Sequence, residues 1–458
     1  MRNFIRLHDS RALRPALLAV SAVAAIAAAG GTAGTAAGHG VPPANHARAQ
    51  LAYGALAIDG TNAADRVALR LQNGDPAILQ VDVGDDGSAD FSFARAEITR
   101  ISVDGGNGDD VVRVDEGNGV FSDTIATTIG GGNGDDNLVG GSGAGTLQGG
   151  NGNDILAGGS GAERLLGGNG NDSIDGNGGN DVGLLGNGND TFVWDPGDGS
   201  DVVEGQNGAD TMLFNGANGA EQVDLSANGE RLRFFRTQGT ITMDTDGVER
   251  VDFNALGGAD LVTINDLTGT DVSNVNIDLA GTAGGGDGAA DTVIINGTSG
   301  SDAITVSSSN GVVTVHGLGA DITISNFDAT DDKLIINGLG GDDAIVASGL
   351  EAGISLTENG GDGNDILVGG AGNDILHGDA GDDVLIGGPG LDVLDQGTGT
   401  GVVIQSPVSV PPGASAQAAA LLGQSMASTF VTAGDGQGAA PIAEAAANPQ
   451  PLLAQPHV

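Results

Sequence analysis

The chain has no cysteine, one tryptophan, one tyrosine and a single lysine, Lys333, among 458 residues. Without cysteine there are no disulfides, thiolate metal sites or thiol nucleophiles. Aromatic residues make up 3% of the chain, so neither an aromatic-rich core nor a stacking platform for bases or sugars is expected. Basic residues are scarce, at 16 Lys+Arg against 60 Asp+Glu, a formal net charge of −44. Five of them (Arg2, Arg6, Arg11, Arg14, Arg48) precede Gln50. This balance speaks against nucleic acid, whose phosphates need basic patches. It would also drive a compact chain apart unless cations neutralise it. Histidines are few and scattered, with His316 and His377 isolated between the termini, and no HExxH, G-x-S-x-G or phosphate-loop motif occurs. General-base and nucleophile options are therefore poor, and a non-enzymatic role is expected.

What the chain has in excess is glycine, at 84 residues. From Gly131 to Val193 it falls into nine-residue frames without a gap: GGNGDDNLV, GGSGAGTLQ, GGNGNDILA, GGSGAERLL, GGNGNDSID, GNGGNDVGL, LGNGNDTFV. After Trp194-Asp195 come two looser frames, PGDGSDVVE and GQNGADTML, and a second block spans Gly360 to Asp395: GGDGNDILV, GGAGNDILH, GDAGDDVLI, GGPGLDVLD. Each frame divides into a six-residue turn and a three-residue strand. Glycine at places one, two and four permits positive φ. The carbonyls of such a turn can then face one point. Place six supplies a hard anionic oxygen, and converging hard oxygens suit Ca²⁺. Those acids are Asp136, Asp154, Asp172, Asp181, Asp190, Asp201, Asp210, Asp365, Asp374, Asp383 and Asp392. Place eight is apolar (Leu138, Leu147, Leu156, Leu165, Ile174 and Leu367, Leu376, Leu385, Leu394), with Gly183 and Phe192 as departures. One inward residue per short strand suits a narrow solenoid rather than a helix.

These frames resemble the hemolysin-type calcium-binding (RTX) nonapeptide repeat, G-G-x-G-x-D-x-U-x. The resemblance implies a parallel β-roll in which two frames make one turn. Ca²⁺ would sit between turns 18 residues apart, held by the Asp side chain and loop carbonyls. In block one the odd frames carry Asp136, Asp154, Asp172 and Asp190, whereas the even frames carry Gly145, Glu163 and Asp181. Three well-formed sites are expected on the odd edge, and a weak or empty even edge. Block two keeps Asp in all four frames, so both its edges can load.

A longer repeat occurs three times. It opens as GTNAADRVALRL (60–71), GANGAEQVDLSA (216–227) and GTSGSDAITVSS (297–308). It closes as RISVDGGNGDDVVRV (100–114), RVDFNALGGADLVTI (250–264) and KLIINGLGGDDAIVA (333–347). The closing stretches look like single loosened frames, so Asp110, Asp260 and Asp343 are further calcium candidates. Between opening and closing, period-two alternation at Ala77–Val83, Ile241–Asp244 and Val312–His316 reads as short strands. Phe192, Val193 and Trp194 are expected to cap the apolar end of the first roll.

The fold class expected is all-β: a right-handed parallel β-roll or β-helix solenoid with calcium-binding turns and a flexible C-terminal tail. Residues 1–49 read as an export leader, with a basic segment, an apolar run at Pro15–Ala29 and a small-x-small cleavage site at Ala47-Arg48-Ala49, or an earlier one near Thr35 to Ala37. Residues 50–130 form a first β-rich unit, 131–213 the first roll, 214–359 two further β-rich units and 360–395 the second roll. Residues 396–458 hold a linker, a short amphipathic segment at Ala416–Val431 and a tail. Relatives of the repeat commonly leave by a type I route with a C-terminal signal, which makes this tail a competing export signal. The expected function is a secreted Ca²⁺-binding protein that folds on binding the ion, with a structural, cell-surface or matrix role and a possible polysaccharide partner. The alternatives are a β-helix polysaccharide lyase, which would need Arg231, Arg233 and Arg236 free for an acidic sugar, and a disordered acidic spacer.

Overall fold

The computed structural model describes residues 47–351 and 353–405. Among the described residues thirty-five strands form two sheets, one of 17 strands and one holding the other 18. The chain alternates between them, so each pair of successive strands completes one coil of an all-β solenoid. Among the described residues the helical turns are two three-residue 3-10 segments, Arg95–Glu97 and Gln238–Thr240, and no helix is long and apolar enough to cross a membrane. The leader's basic and apolar segments, the linker after Gln405 and Ala416–Val431 lie outside the described residues. Arg48–Ala52 is the first strand, antiparallel to Ala55–Thr61, and Ala47 before it is buried.

In the nonapeptide blocks the register is set by the frame itself. Thr146–Asn151 pairs in parallel with Arg164–Asn169, placing Leu147 against Leu165, 18 residues on. On the facing sheet Ile155–Gly159 pairs with Ser173–Asn177, placing Leu156 against Ile174. Strand alternation turns places one, six and eight inward and the rest outward. The eighth-place residues Leu138, Leu147, Leu156, Leu165 and Ile174 are no more than 1% exposed. Each such side chain stabilises the coil by about 1.5–3 kcal/mol through removal from water. Gly183 breaks the pattern without leaving a hole, because the Phe192 ring occupies the space its Cβ would take.

The longer repeats are coils with a hairpin built in. Arg66–Gln72, Asp75–Val83 and Phe91–Ala94 form a three-stranded antiparallel meander in the second sheet. Gln222–Asn228, Arg231–Arg236 and Ile241–Asp246 do so in the first sheet. Ala303–Ser309, Val312–His316 and Asp321–Ser325 do so again in the second. Their first hairpins close through the two-residue loops Asn73-Gly74, Gly229-Glu230 and Asn310-Gly311, with Gly74, Gly229, Asn310 and Gly311 at positive φ as tight hairpins require. The second and third meanders compensate for each other. Between the coil at Val202–Asn207/Thr211–Asn215 and the coil at Lys333–Gly340/Ala344–Gly349, each sheet gains five strands. The two ladders therefore stay in step and run unbroken from the first longer repeat into the second block.

Two expectations need correction. Trp194 does not cap a roll: the strand Thr191–Trp194 pairs on both sides, and the indole is 1% exposed, stacked on Phe214 at 4.0 Å with rings 5° apart. Phe214 in turn packs on Phe234, 4.3 Å away, so the aromatic residues join the first block to the second meander. His316 and His377 each lie beside an acid rather than alone, with Nδ1 2.7 Å from Asp321 Oδ1 and 3.9 Å from Asp395 Oδ2.

Candidate metal centre

The sixth-place acids form columns. Along the odd edge the backbone N–H of each rung donates to Oδ1 of the next: Asp110 to Asp136, Asp136 to Asp154 and Asp154 to Asp172, each at 2.8 Å. Asp172 donates to Asp190 at 2.7 Å and Asp190 to Asp210 at 2.9 Å. The column starts at Asp65, which donates to Asp110 at 2.7 Å, and finishes at Glu249, which accepts from Asp210 N–H at 2.7 Å. In the second block Asp302, Asp343, Asp365 and Asp383 form a like column with bonds of 2.7, 2.8 and 2.9 Å. Asp374 donates to Asp392 at 3.1 Å on the other edge.

In most of these acids one oxygen is thus used by the adjoining coil and the other has no partner. Oδ2 of Asp110, Asp136, Asp154, Asp172, Asp181, Asp190, Asp201, Asp210, Asp343, Asp365, Asp374 and Asp383 is buried without a hydrogen-bond partner. Each of these side chains is at most 3% exposed. The orphaned oxygen faces the backbone of its own turn: a Cβ on the first-place Gly131 or Gly149 would collide with Oδ2 of Asp136 or Asp154. The same holds at Gly360 for Asp365, Gly378 for Asp383 and Gly387 for Asp392. The second- and fourth-place glycines, such as Gly150 and Gly152, have φ of +118° and +130° and lie against the same places of the preceding coil.

An anionic oxygen held dry without a donor costs several kcal/mol. The consequence is visible in the acidities. Burial, reinforced by neighbouring carboxylates (for Asp201, those of Asp198 and Asp175), pushes Asp136 and Asp172 up to about 7, Asp181 to about 8 and Asp201 to about 7. Glu116 shows the opposite. Burial would raise it too, but the N–H groups of Phe121, Ser122 and Ser142, with the Ser122 hydroxyl, bring it down to about 2. At Glu116 the fold supplies donors to a buried carboxylate, whereas at the sixth-place Oδ2 atoms it supplies none.

The residues present fit a hard cation. Among the described residues no group of three or more His, Asp or Glu side chains converges into a cage. A cation at these turns would therefore take one or two carboxylate oxygens and draw the remainder from loop carbonyls. Carboxylate and carbonyl oxygens are the donor set of Ca²⁺.

The even edge of block one is interrupted rather than bare. Asp181 accepts from Glu163 N–H at 2.6 Å and Asp201 from Asp181 N–H at 2.8 Å, so Asp181 and Asp201 form a short column above the gap at Gly145. Glu163 sits within it, 3% exposed, folded back onto Gly159 N–H with Oε1 unpaired. A further column escaped the sequence reading apart from Asp260: Glu221, Asp260, Asp291 and Asp332, linked at 2.7, 2.8 and 2.8 Å. Its intervals of 39, 31 and 41 residues hide it from a nine-residue frame. The homologous openings carry its signal, since Glu221 aligns with Asp65 and Asp302.

No curated protein matches the chain. A family model described as the RTX calcium-binding nonapeptide repeat (4 copies) matches residues 102–121, 130–162, 158–192, 197–219 and 359–394. These ranges hold the odd-edge column from Asp110 to Asp210 and the second-block acids from Asp365 to Asp392, and leave out most of the second and third longer repeats. The chain carries RTX calcium-binding nonapeptide repeats, and the ion such repeats bind is Ca²⁺.

Proposed function

We propose that this is an exported protein whose solenoid closes when Ca²⁺ neutralises the buried carboxylate columns, and which serves outside the cell as a structural element. The observation that carries this reading is the orphaned Oδ2, repeated once or twice per coil through the nonapeptide blocks against a glycine turn. The ligands would be Asp136, Asp154, Asp172, Asp190 and Asp210 on the odd edge and Asp181 and Asp201 on the even edge. In the second block they would be Asp365, Asp374, Asp383 and Asp392, with Asp110 and Asp343 at the junctions. Bound Ca²⁺ supplies the positive charge that these coils lack. The chain's own part is to hold each carboxylate in place through the N–H of the adjoining coil and to keep water from the unpaired oxygen.

Sites of extracellular affinity fill at about 10⁻⁴–10⁻³ M Ca²⁺, so the same chain stays open where free Ca²⁺ is low. Each ion that binds only the folded form adds RT ln(1 + [L]/Kd), which makes folding steep in Ca²⁺ when many sites act together. A leader cut near Thr35 to Ala37 would leave the strand Arg48–Ala52 whole, whereas a cut at Ala47-Arg48-Ala49 would divide it. A lyase would need free arginines. Instead Arg231 is engaged by Glu204 and Asp244, Arg233 by Asp224 and Arg236 by Glu221, which favours the structural reading. The test is far-ultraviolet circular dichroism of the full chain in chelator and through a Ca²⁺ titration. Gain of strand signal between micromolar and millimolar Ca²⁺ is expected. A full strand signal in chelator with no uptake of Ca²⁺ would refute the proposal.

A further inference from the structure

Glu358 stands at the eighth, core-facing place of the coil that precedes the second block, outside the residues that match the repeat family. Its neighbours in register are Ile336 on one side and Leu376 on the other. It is 0% exposed, and both carboxylate oxygens lack any hydrogen-bond partner. Every other eighth-place residue in the second block is leucine, so packing alone gives no reason for an acid here.

The reason lies one coil further on. Asp374 is 3% exposed and its Oδ2 is likewise unpaired. In a complete column the rung below Asp374 would be an acid. The register of Thr357 with Ile375 puts Leu356 at that place instead. The coil therefore lacks its sixth-place carboxylate and carries one two residues later, on the same inward face of the strand. Asp374 is the charged group whose field acts on Glu358. These two acids, one coil apart on the same inward face, hold three dry, unpaired carboxylate oxygens with no salt bridge to a cationic side chain.

We propose that Glu358 and Asp374 share one divalent cation of the Ca²⁺ class, held from inside the core at the start of the second block. This rests on the reading that the repeat turns take Ca²⁺, and assigns to Asp374's ion a ligand that no repeat supplies. The displaced carboxylate restores the missing rung and opens the column on that edge one coil early.

The test counts ions. Wild-type chain, Glu358→Leu, Glu358→Gln, Asp374→Asn and the double variant E358Q/D374N are dialysed to equilibrium at millimolar Ca²⁺, and bound metal is measured per chain. Each single variant should lose one equivalent while keeping the others, and the double variant should also lose only one. At saturating Ca²⁺ Glu358→Leu should give the same strand signal as wild type, because leucine is the residue the second block uses at this place. The same stoichiometry in wild type, Glu358→Leu and Glu358→Gln overturns the proposal and leaves Glu358 a protonated core acid. Loss of two equivalents in the double variant also overturns it, since the acids then serve separate ions. A wild-type chain that binds no Ca²⁺ removes the parent reading, and is distinguished by the first sample alone.

Discussion

Glycine and aspartate have complementary tasks in each coil. Gly149 leaves room for Asp154 Oδ2 at the turn, and the N–H of Asp136 fixes Oδ1. The remaining oxygen must find a proton or a metal. The sign of the pH effect follows. Asp136, Asp172 and Asp201, at about 7 in the fold, lie far above the ordinary 3.8 of an open chain. The folded form therefore binds protons that the unfolded form does not, and their contribution is full below pH ~4 and lost as pH rises through about 7. Without metal, the far-ultraviolet strand signal should be greater at pH 5 than at pH 8. With Ca²⁺, which competes for the same oxygens, apparent affinity should rise over that interval. A calorimetric titration near pH 6.5 should show protons released as Ca²⁺ binds. A metal-free protein more stable at pH 8 than at pH 5 would contradict the column chemistry.

Strands and hairpins show how the coil survives interruption. Each meander inserts a hairpin in one sheet while the facing sheet continues. In the central one a side-chain cation takes the role assigned elsewhere to metal: Arg236 pairs with Glu221, which is 1% exposed, and its guanidinium lies 5.4 Å from the centre of the Trp194 ring. Removing it strands a buried carboxylate. Arg236→Ala should cost about 3–5 kcal/mol in urea unfolding. Most of that loss should persist at saturating Ca²⁺. A change below 1 kcal/mol, or one abolished by Ca²⁺, would show that the guanidinium is dispensable there.

At the scale of the molecule, need for cations is uneven. Between Gln222 and Ala347 the acids largely find donors: both oxygens of Asp302 and of Asp332 accept N–H bonds or hydroxyls. Only Asp260 and Asp343 in that interval keep an orphaned Oδ2, whereas the first block keeps one at Asp136, Asp154, Asp172, Asp181, Asp190, Asp201 and Asp210. Its core is also bulkier, with Phe234, Met243, Phe253 and rows of Ile and Val fully or nearly buried. On chelation, hydrogen exchange should accelerate first in residues 131–213 and 360–395 and last in 222–347. Uniform acceleration measured by mass spectrometry would show instead that all coils depend equally on metal.

The nine-residue period made the inward leucines legible, and the resemblance to the nonapeptide repeat implied the parallel 18-residue register, because both follow from the frame; the three-residue strands it suggested extend to five or six residues in Thr146–Asn151, Ile155–Gly159, Arg164–Asn169 and Ser173–Asn177. The openings and closings of the longer repeat were also legible, but that Asp65 meets Asp110 and Asp302 meets Asp343 came from the structure. What only the tertiary structure decided depends on contacts between coils of unequal length. Hairpins and loops of differing size separate Glu221, Asp260, Asp291 and Asp332 in sequence, yet parallel pairing stacks them. The same pairing buries Trp194 in mid-solenoid rather than at an end, and sets Glu358 one coil below Asp374. Periodicity reports what repeats along the chain; it is the hydrogen-bonded stacking of unlike coils that determines which residues meet.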